Sequence, residues 1–188
     1  KFPDDYLAYL GGKEGVSLLK NNPHLDEILE FDFSRLTVLE QPKVMMGLRK
    51  RKFDVFVDMF SNPRTALLAR ASGAPVRIGK EVRGRGTLYT HQIRDDGKPK
   101  TAIEFHHQYV RPLGVEQVHR KTEIILTEDE KREARNYLSW QDVDCTKPIV
   151  GLHPGASWPA KMWQWENFAD LADLVRAKLN AQVAITQG

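Results

Sequence analysis

One cysteine, Cys145, stands in 188 residues. It excludes an internal disulfide and any metal site built from cysteines, and such sparing use fits a reducing compartment. No apolar run approaches the roughly 20 residues that a membrane-spanning helix needs. The zinc-protease pattern HExxH, the nucleophile elbow GxSxG and the P-loop are all missing. His106 and His107 are adjacent, so on a helix they point about 100° apart and cannot share a metal. Charge of one sign is not in large excess: 28 basic against 25 acidic residues leave +3. That balance permits an anionic ligand without demanding one. The run Arg49–Lys52 lacks the interleaved aromatics and broad basic field of a nucleic-acid binder. It reads as a solvated cap on a helix C-terminus, and nucleic acid is not an expected partner.

What is present is a soluble, globular mix, 41% hydrophobic and 28% charged, in which β and α patterns alternate. Residues 26–32, DEILEFD, read as a short strand. Residues 36–52 read as a helix with Val38, Val44, Met45 and Leu48 on its apolar face, and Pro42 forces a break or a new first turn. Residues 53–60, FDVFVDMF, read as a buried central strand. A helix follows, with Pro63 suited to its first turn and Gly73 to its stop. Residues 75–79 are a further strand. This is a βαβ unit, the building block of parallel sheets. Residues 80–101 are polar and aperiodic, and read as a mobile basic loop. Residues 102–115 return to helix until Pro112, and 122–127 are a strand or linker. Thr127 with Glu130 makes a capping box for a helix over 127–140. A buried strand, 147–155, precedes the clearest helix of the chain, WENFADLADLVRAKL, whose stripe is Phe168, Leu171, Ala172, Leu174, Val175 and Leu179. Residues 182–186 are the next strand. No internal repeat or low-complexity segment is found. The start at Lys1 and the stop after QVAITQG suggest a piece of a longer protein.

Several residues could carry chemistry. In HPGASWPAK the chain leaves a strand at the carboxyl edge of a sheet, where ligands of open α/β sheets sit. Gly155 lets backbone approach a ligand, Ser157 offers a hydroxyl and Lys161 a cation. The helix that follows adds unpaired N–H groups and a partial positive charge. The set suits a diphosphate, but a plain βα loop with an exposed lysine has the same spacing. Trp158, Trp163 and Trp165 could stack a base or sugar, although packing a helix end onto its sheet is the commoner use for Trp163 and Trp165. Asp58 ends a strand and is a candidate base; a carboxylate that caps nearby backbone N–H groups is the preferred alternative. Arg64 stands at a helix start, where a cation opposes the dipole unless an anion binds there. Arg77, Lys80, Arg83 and Arg85 put four cations in nine residues, which could clamp a polyanion or simply solvate a loop.

With these elements in place the sequence resembles glycosyltransferase family 9, the ADP-heptose:lipopolysaccharide heptosyltransferases. NNPHLDEILEFD, FDVFVDMFSNPRTALLARASGAPVRIG and LHPGASWPAKMWQWENFADLADLV carry the likeness, in the family's order and spacing. The resemblance implies a GT-B architecture of α/β class. An acceptor-side Rossmann-like domain, residues 1–126 without its first strand, would be followed by the beginning of a nucleotide-sugar-binding domain, 127–188. It implies metal-independent, inverting transfer from a nucleotide sugar such as ADP-heptose to the lipopolysaccharide inner core, with no cofactor, in the cytoplasm or peripherally on the inner membrane. Ser157 and Lys161 would hold the donor diphosphate. Arg64, Arg83 and Arg85 would lie on the acceptor side. The family's catalytic aspartate belongs to a first βα loop that has no match here, and Asp58 matches a structural aspartate. The chain as it stands is therefore expected to hold no catalytic base and to be inactive, and its second half to leave its sheet poorly covered. Another GT-B sugar-nucleotide enzyme, or a non-catalytic polyanion-binding module, remains an alternative.

Overall fold

The computed structural model describes residues 4–31, 41–84, 86–98, 100–116 and 120–186. The chain divides into two compact units, Lys1–Ile125 and Leu126–Gly188.

The first unit alternates strand and helix: β1 (Ala8–Gly11), α1 (Lys13–Leu19), β2 (Glu27–Glu30), α2 (Gln41–Lys50), β3 (Val55–Asp58), α3 (Pro63–Ser72), β4 (Val76–Lys80), β5 (His91–Ile93) and α4 (Ala102–His107). Every strand pair is parallel. β1 pairs with β2, and β3, β4 and β5 lie in that order, with Asp58 opposite Gly79 and Ile78 opposite His91. The core gathers Phe31, Leu48 and Leu68, against which Leu10, Leu29, Val44, Met45, Phe53 and Phe56 pack. The apolar face expected of α2 is thus realised through Val44, Met45 and Leu48, while Val38 lies outside the described residues. Pro42 occupies the opening turn of α2, where its missing N–H has no intrahelical role.

Helix α3 shows why its sequence stops and starts where it does. The Asn62 side chain accepts from Thr65 N–H and Thr65 Oγ1 accepts from Asn62 N–H, Pro63 fills the first turn, and Gly73 ends the helix at φ 76°. That left-handed cap is easy only for glycine.

Three expectations need correction here. The strand over 53–60 is shorter, Val55–Asp58, because the Asp58 carboxylate takes up the N–H groups of Phe60 and Ser61 and turns the chain. It is also not central: β4 is the middle strand of β3–β4–β5. The basic loop over 80–101 is in part structured, holding a 3-10 turn (Gly86–Leu88), the buried Tyr89 and β5. Neither β5 nor β1 shows the alternation by which short strands are recognised. Residues 122–127 form no ladder and serve as a linker; the Ile125 carbonyl accepts from Asn21 Nδ2 at 3.2 Å.

The second unit holds α5 (Glu128–Trp140), β6 (Ile149–Leu152), α6 (Trp165–Leu179) and β7 (Gln182–Ile185), with β6 and β7 parallel. The capping box of α5 is present: Thr127 N–H donates to Glu130 Oε2 at 2.8 Å and Glu130 N–H to Thr127 Oγ1 at 3.2 Å. Of its described apolar residues only Leu152 and Ala181 are buried, and Ile149, Leu174, Leu179 and Ile185 are exposed. The stripe of α6 is therefore narrower than its sequence pattern. Phe168, Leu171, Ala172 and Val175 are half-buried, because a two-stranded sheet covers only one narrow face of a helix. No helix among the described residues is long and apolar enough to cross a membrane.

Candidate functional sites at two sheet edges

In the second unit the parallel strands β6 and β7 end together, at Leu152 and Ile185. Thr186 N–H extends the ladder to the Leu152 carbonyl at 2.9 Å, and His153 Nδ1 lies 2.9 Å from Thr186 Oγ1. This His153–Thr186 pair fixes the point from which HPGAS departs, and nothing in the local sequence links two residues 33 apart. Ser157 is exposed. Lys161 closes a 3-10 turn (Pro159–Lys161), its backbone N–H bonded to the Trp158 carbonyl at 2.9 Å. Its ammonium is exposed and has no ion-pair partner among the described residues. Helix α6 begins at Trp165, as its sequence pattern predicts, and so does not adjoin the Gly-Ala-Ser turn. Met162–Gln164 intervene, and the α6 N-cap Gln164 makes no side-chain cap bond. The polar side chains this loop presents include the Ser157 hydroxyl and the Lys161 ammonium, with the helix N-terminus set apart from them in sequence.

The tryptophans divide in role. Trp163 meets Phe168 edge-on, with ring centroids 5.2 Å apart and planes at 70°, but it is half exposed, so it ties the loop to α6 where packing of the helix end onto the sheet was expected. Trp165 is 73% exposed, which overturns a packing role for it within this unit. Trp158 is exposed as well.

In the first unit the carboxyl edge of β3–β4–β5 is built around Asp58. This carboxylate is only 4% exposed. Its Oδ1 accepts from Phe60 N–H at 3.1 Å and Ser61 N–H at 2.7 Å, and its Oδ2 from Tyr89 Oη at 2.7 Å. Ser61, itself at a left-handed φ of 51°, donates its hydroxyl to the Asp58 carbonyl at 2.7 Å and accepts from Lys80 N–H at 2.8 Å. Tyr109 is fully buried beside them; burial pushes its phenol above the ordinary tyrosine range, and a hydrogen bond with Ser61 opposes this. A buried carboxylate already holding three donors is a structural knot, not a base. The reading of Asp58 as a cap for backbone N–H groups holds.

The cations of this edge separate. Arg64 is exposed in the first turn of α3, and Arg83 is exposed in the turn after β4. Arg85 lies outside the described residues. Lys80 ends β4, 3.9 Å from Asp95 and 5.4 Å above the Phe105 ring. Arg77 is not part of a polyanion clamp: its Nε donates to the Leu88 carbonyl at 2.9 Å and its Nη1 to the Ala74 carbonyl at 2.6 Å. Arg51 likewise does more than solvate a helix end, since it forks onto Glu27 at 2.7 and 3.0 Å. No three His, Cys, Asp or Glu side chains among the described residues converge as metal ligands. Sequence reasoning misses Ser61, Tyr89 and Tyr109. The one available signal is Gly79: a glycine inside a strand marks a close approach, and a Cβ there would stand 2.3 Å from the Tyr89 ring.

Comparison with known proteins gives a consistent result. Residues 42–188 match the family model of glycosyltransferase family 9 (heptosyltransferase). The chain belongs to glycosyltransferase family 9. Lipopolysaccharide heptosyltransferase 3 of Escherichia coli is 21% identical over 196 residues, which take in the whole of this chain and 56% of that protein. Among solved structures, the family 9 glycosyl transferase of Veillonella parvula superposes with a TM-score of 0.83 at 22% identity, over 96% of this chain and 53% of the other. Escherichia coli ADP-heptose lipopolysaccharide heptosyltransferase II gives 0.76 at 21% identity, over 97% and 55%. The fold is that of the GT-B glycosyltransferases, and the chain spans about half the length of these relatives.

Proposed function

We propose that the protein carrying this chain transfers a heptose or related sugar from a nucleotide sugar to the lipopolysaccharide inner core, at the cytoplasmic side of the inner membrane. The observation that carries this reading is the family match, which runs through both sheet edges. Residues 127–188 belong to the donor side, where Ser157 and Lys161 hold the diphosphate. A hydroxyl and an exposed cation on a loop at a parallel sheet's carboxyl edge suit that group. Residues 1–126 belong to the acceptor side. Arg64 and Arg83 face acidic groups of the acceptor there, and Arg85 joins them by sequence. Transfer needs no resident metal in this reading: cations of the chain neutralise the leaving diphosphate. Asp58, buried and already accepting from three donors, is not the base in this reading.

The deciding experiment gives the full-length gene product ADP-heptose and a truncated core acceptor and follows ADP release. Product formation that requires both substrates supports the reading. Turnover of other nucleotide sugars without an acceptor would point to a different GT-B enzyme. Acceptor binding that collapses steeply with salt and shows no sugar preference would point to a polyanion-binding module.

A further inference from the structure

Phe60 is 78% exposed, the most exposed of the large apolar side chains described. It follows the last residue of β3 by two positions, at the carboxyl edge of a parallel sheet, the side on which such folds bind ligands. Its ring is out in solvent while the backbone around it is held from three strands' ends. Its own N–H and that of Ser61 are bonded to the buried Asp58, Asp58 is bonded by Tyr89 from the segment leading into β5, and Ser61 Oγ is bonded by Lys80 N–H at the end of β4. Ser61 sits at φ 51°, in the left-handed region that is uncommon for a residue with a Cβ, and its buried hydroxyl is bonded on both sides. A loop that merely joined β3 to α3 needs neither the left-handed serine nor the exposed ring. Four residues beyond Phe60, Arg64 is exposed in the first turn of α3.

We infer that Phe60 is a stacking residue for a sugar ring of the acceptor, one that bears an acidic group within reach of Arg64. This deepens the transferase reading and rests on it. The apolar C–H face of a pyranose packs on a rigid aromatic ring, and the nearby guanidinium selects an anionic sugar over a neutral one. Tyr89 and Asp58 are positioning residues: they act on the sugar only through the turn.

The test uses the full-length gene product with a truncated core oligosaccharide as acceptor. Phe60→Ala raises the acceptor KM by about tenfold, with kcat, the donor KM and the thermal midpoint little changed. Phe60→Tyr restores the KM. Tyr89→Phe raises it in the same direction, and the double variant Tyr89→Phe, Phe60→Ala is no worse than Phe60→Ala alone. An unchanged acceptor KM overturns the inference. So does a parallel loss in donor and acceptor KM with a lowered thermal midpoint, which marks a ring packed between parts of the protein. If the wild type transfers no sugar, the transferase reading fails by itself. Saturation-transfer NMR on the oligosaccharide then decides. A sugar signal present with the wild type and abolished by Phe60→Ala upholds the platform, and no sugar signal with the wild type overturns it.

Discussion

The Tyr89 phenol donates to Asp58 Oδ2 at 2.7 Å, across 31 residues of sequence. This bond completes the coordination of a carboxylate whose other oxygen holds the turn that leads into α3. A hydrogen bond to a charged, buried group contributes about 1.5–3 kcal/mol. Tyr89→Phe should therefore lower the unfolding free energy by about that amount, read by chemical denaturation of the full-length protein. A variant as stable as the wild type would show that the bond is not closed in solution.

Gly79 is the other half of that arrangement. A methyl group on it would meet ring atoms of Tyr89 at 2.3 Å, against the backbone-fixed core of β4. Overpacking of this kind costs about 1–3 kcal/mol. Gly79→Ala should destabilise the protein and weaken the Tyr89–Asp58 bond. If Tyr89→Phe and Gly79→Ala destabilise additively, the two effects are independent and the coupling is wrong.

Acid stability should depend on Glu27. The guanidinium of Arg51 holds this carboxyl below its ordinary range, and a hydrogen bond from Tyr6 adds to the effect, against the opposing pull of desolvation. A folded-state value below the unfolded one means that the pair stabilises the fold above about pH 4.3. That contribution is lost as the pH falls through the depressed folded value. Glu27→Gln should lower stability at neutral pH and flatten the decline on the acid side. Equal slopes in variant and wild type would rule this out.

Lys161 tests the proposed donor site. Its ammonium is exposed and unpaired among the described residues, so Lys161→Ala should leave folding nearly untouched. Loss of a charge-assisted contact to phosphate costs about 1.5–3 kcal/mol, or roughly one to two decades in donor kcat/KM. Ser157→Ala should act in the same direction with a smaller effect, as a neutral hydroxyl contributes less than a cation. Donor kinetics unchanged in both would remove the diphosphate from this loop.

The sequence by itself determined the features that live within a few residues of one another. The capping box of α5, the Pro63 start and Gly73 stop of α3, the apolar face of α2 and the HPGAS turn at the end of a strand all depend on local periodicity and local hydrogen bonding. Three blocks, around β2, β3–β4 and β6–α6, were enough to name the family as well. Only the tertiary structure decided which polar residues are tied down and which are presented. Arg77 and Arg83 look alike in a basic run, yet one is locked onto two carbonyls and the other stands in solvent. Asp58 could be a base or a cap until Tyr89 and Ser61 arrive to saturate it, the tyrosine from far along the chain. The reason is physical: a parallel sheet brings together the ends of strands separated by crossovers of about a dozen residues or more, so the chemistry of its carboxyl edge is written in no single stretch of the chain.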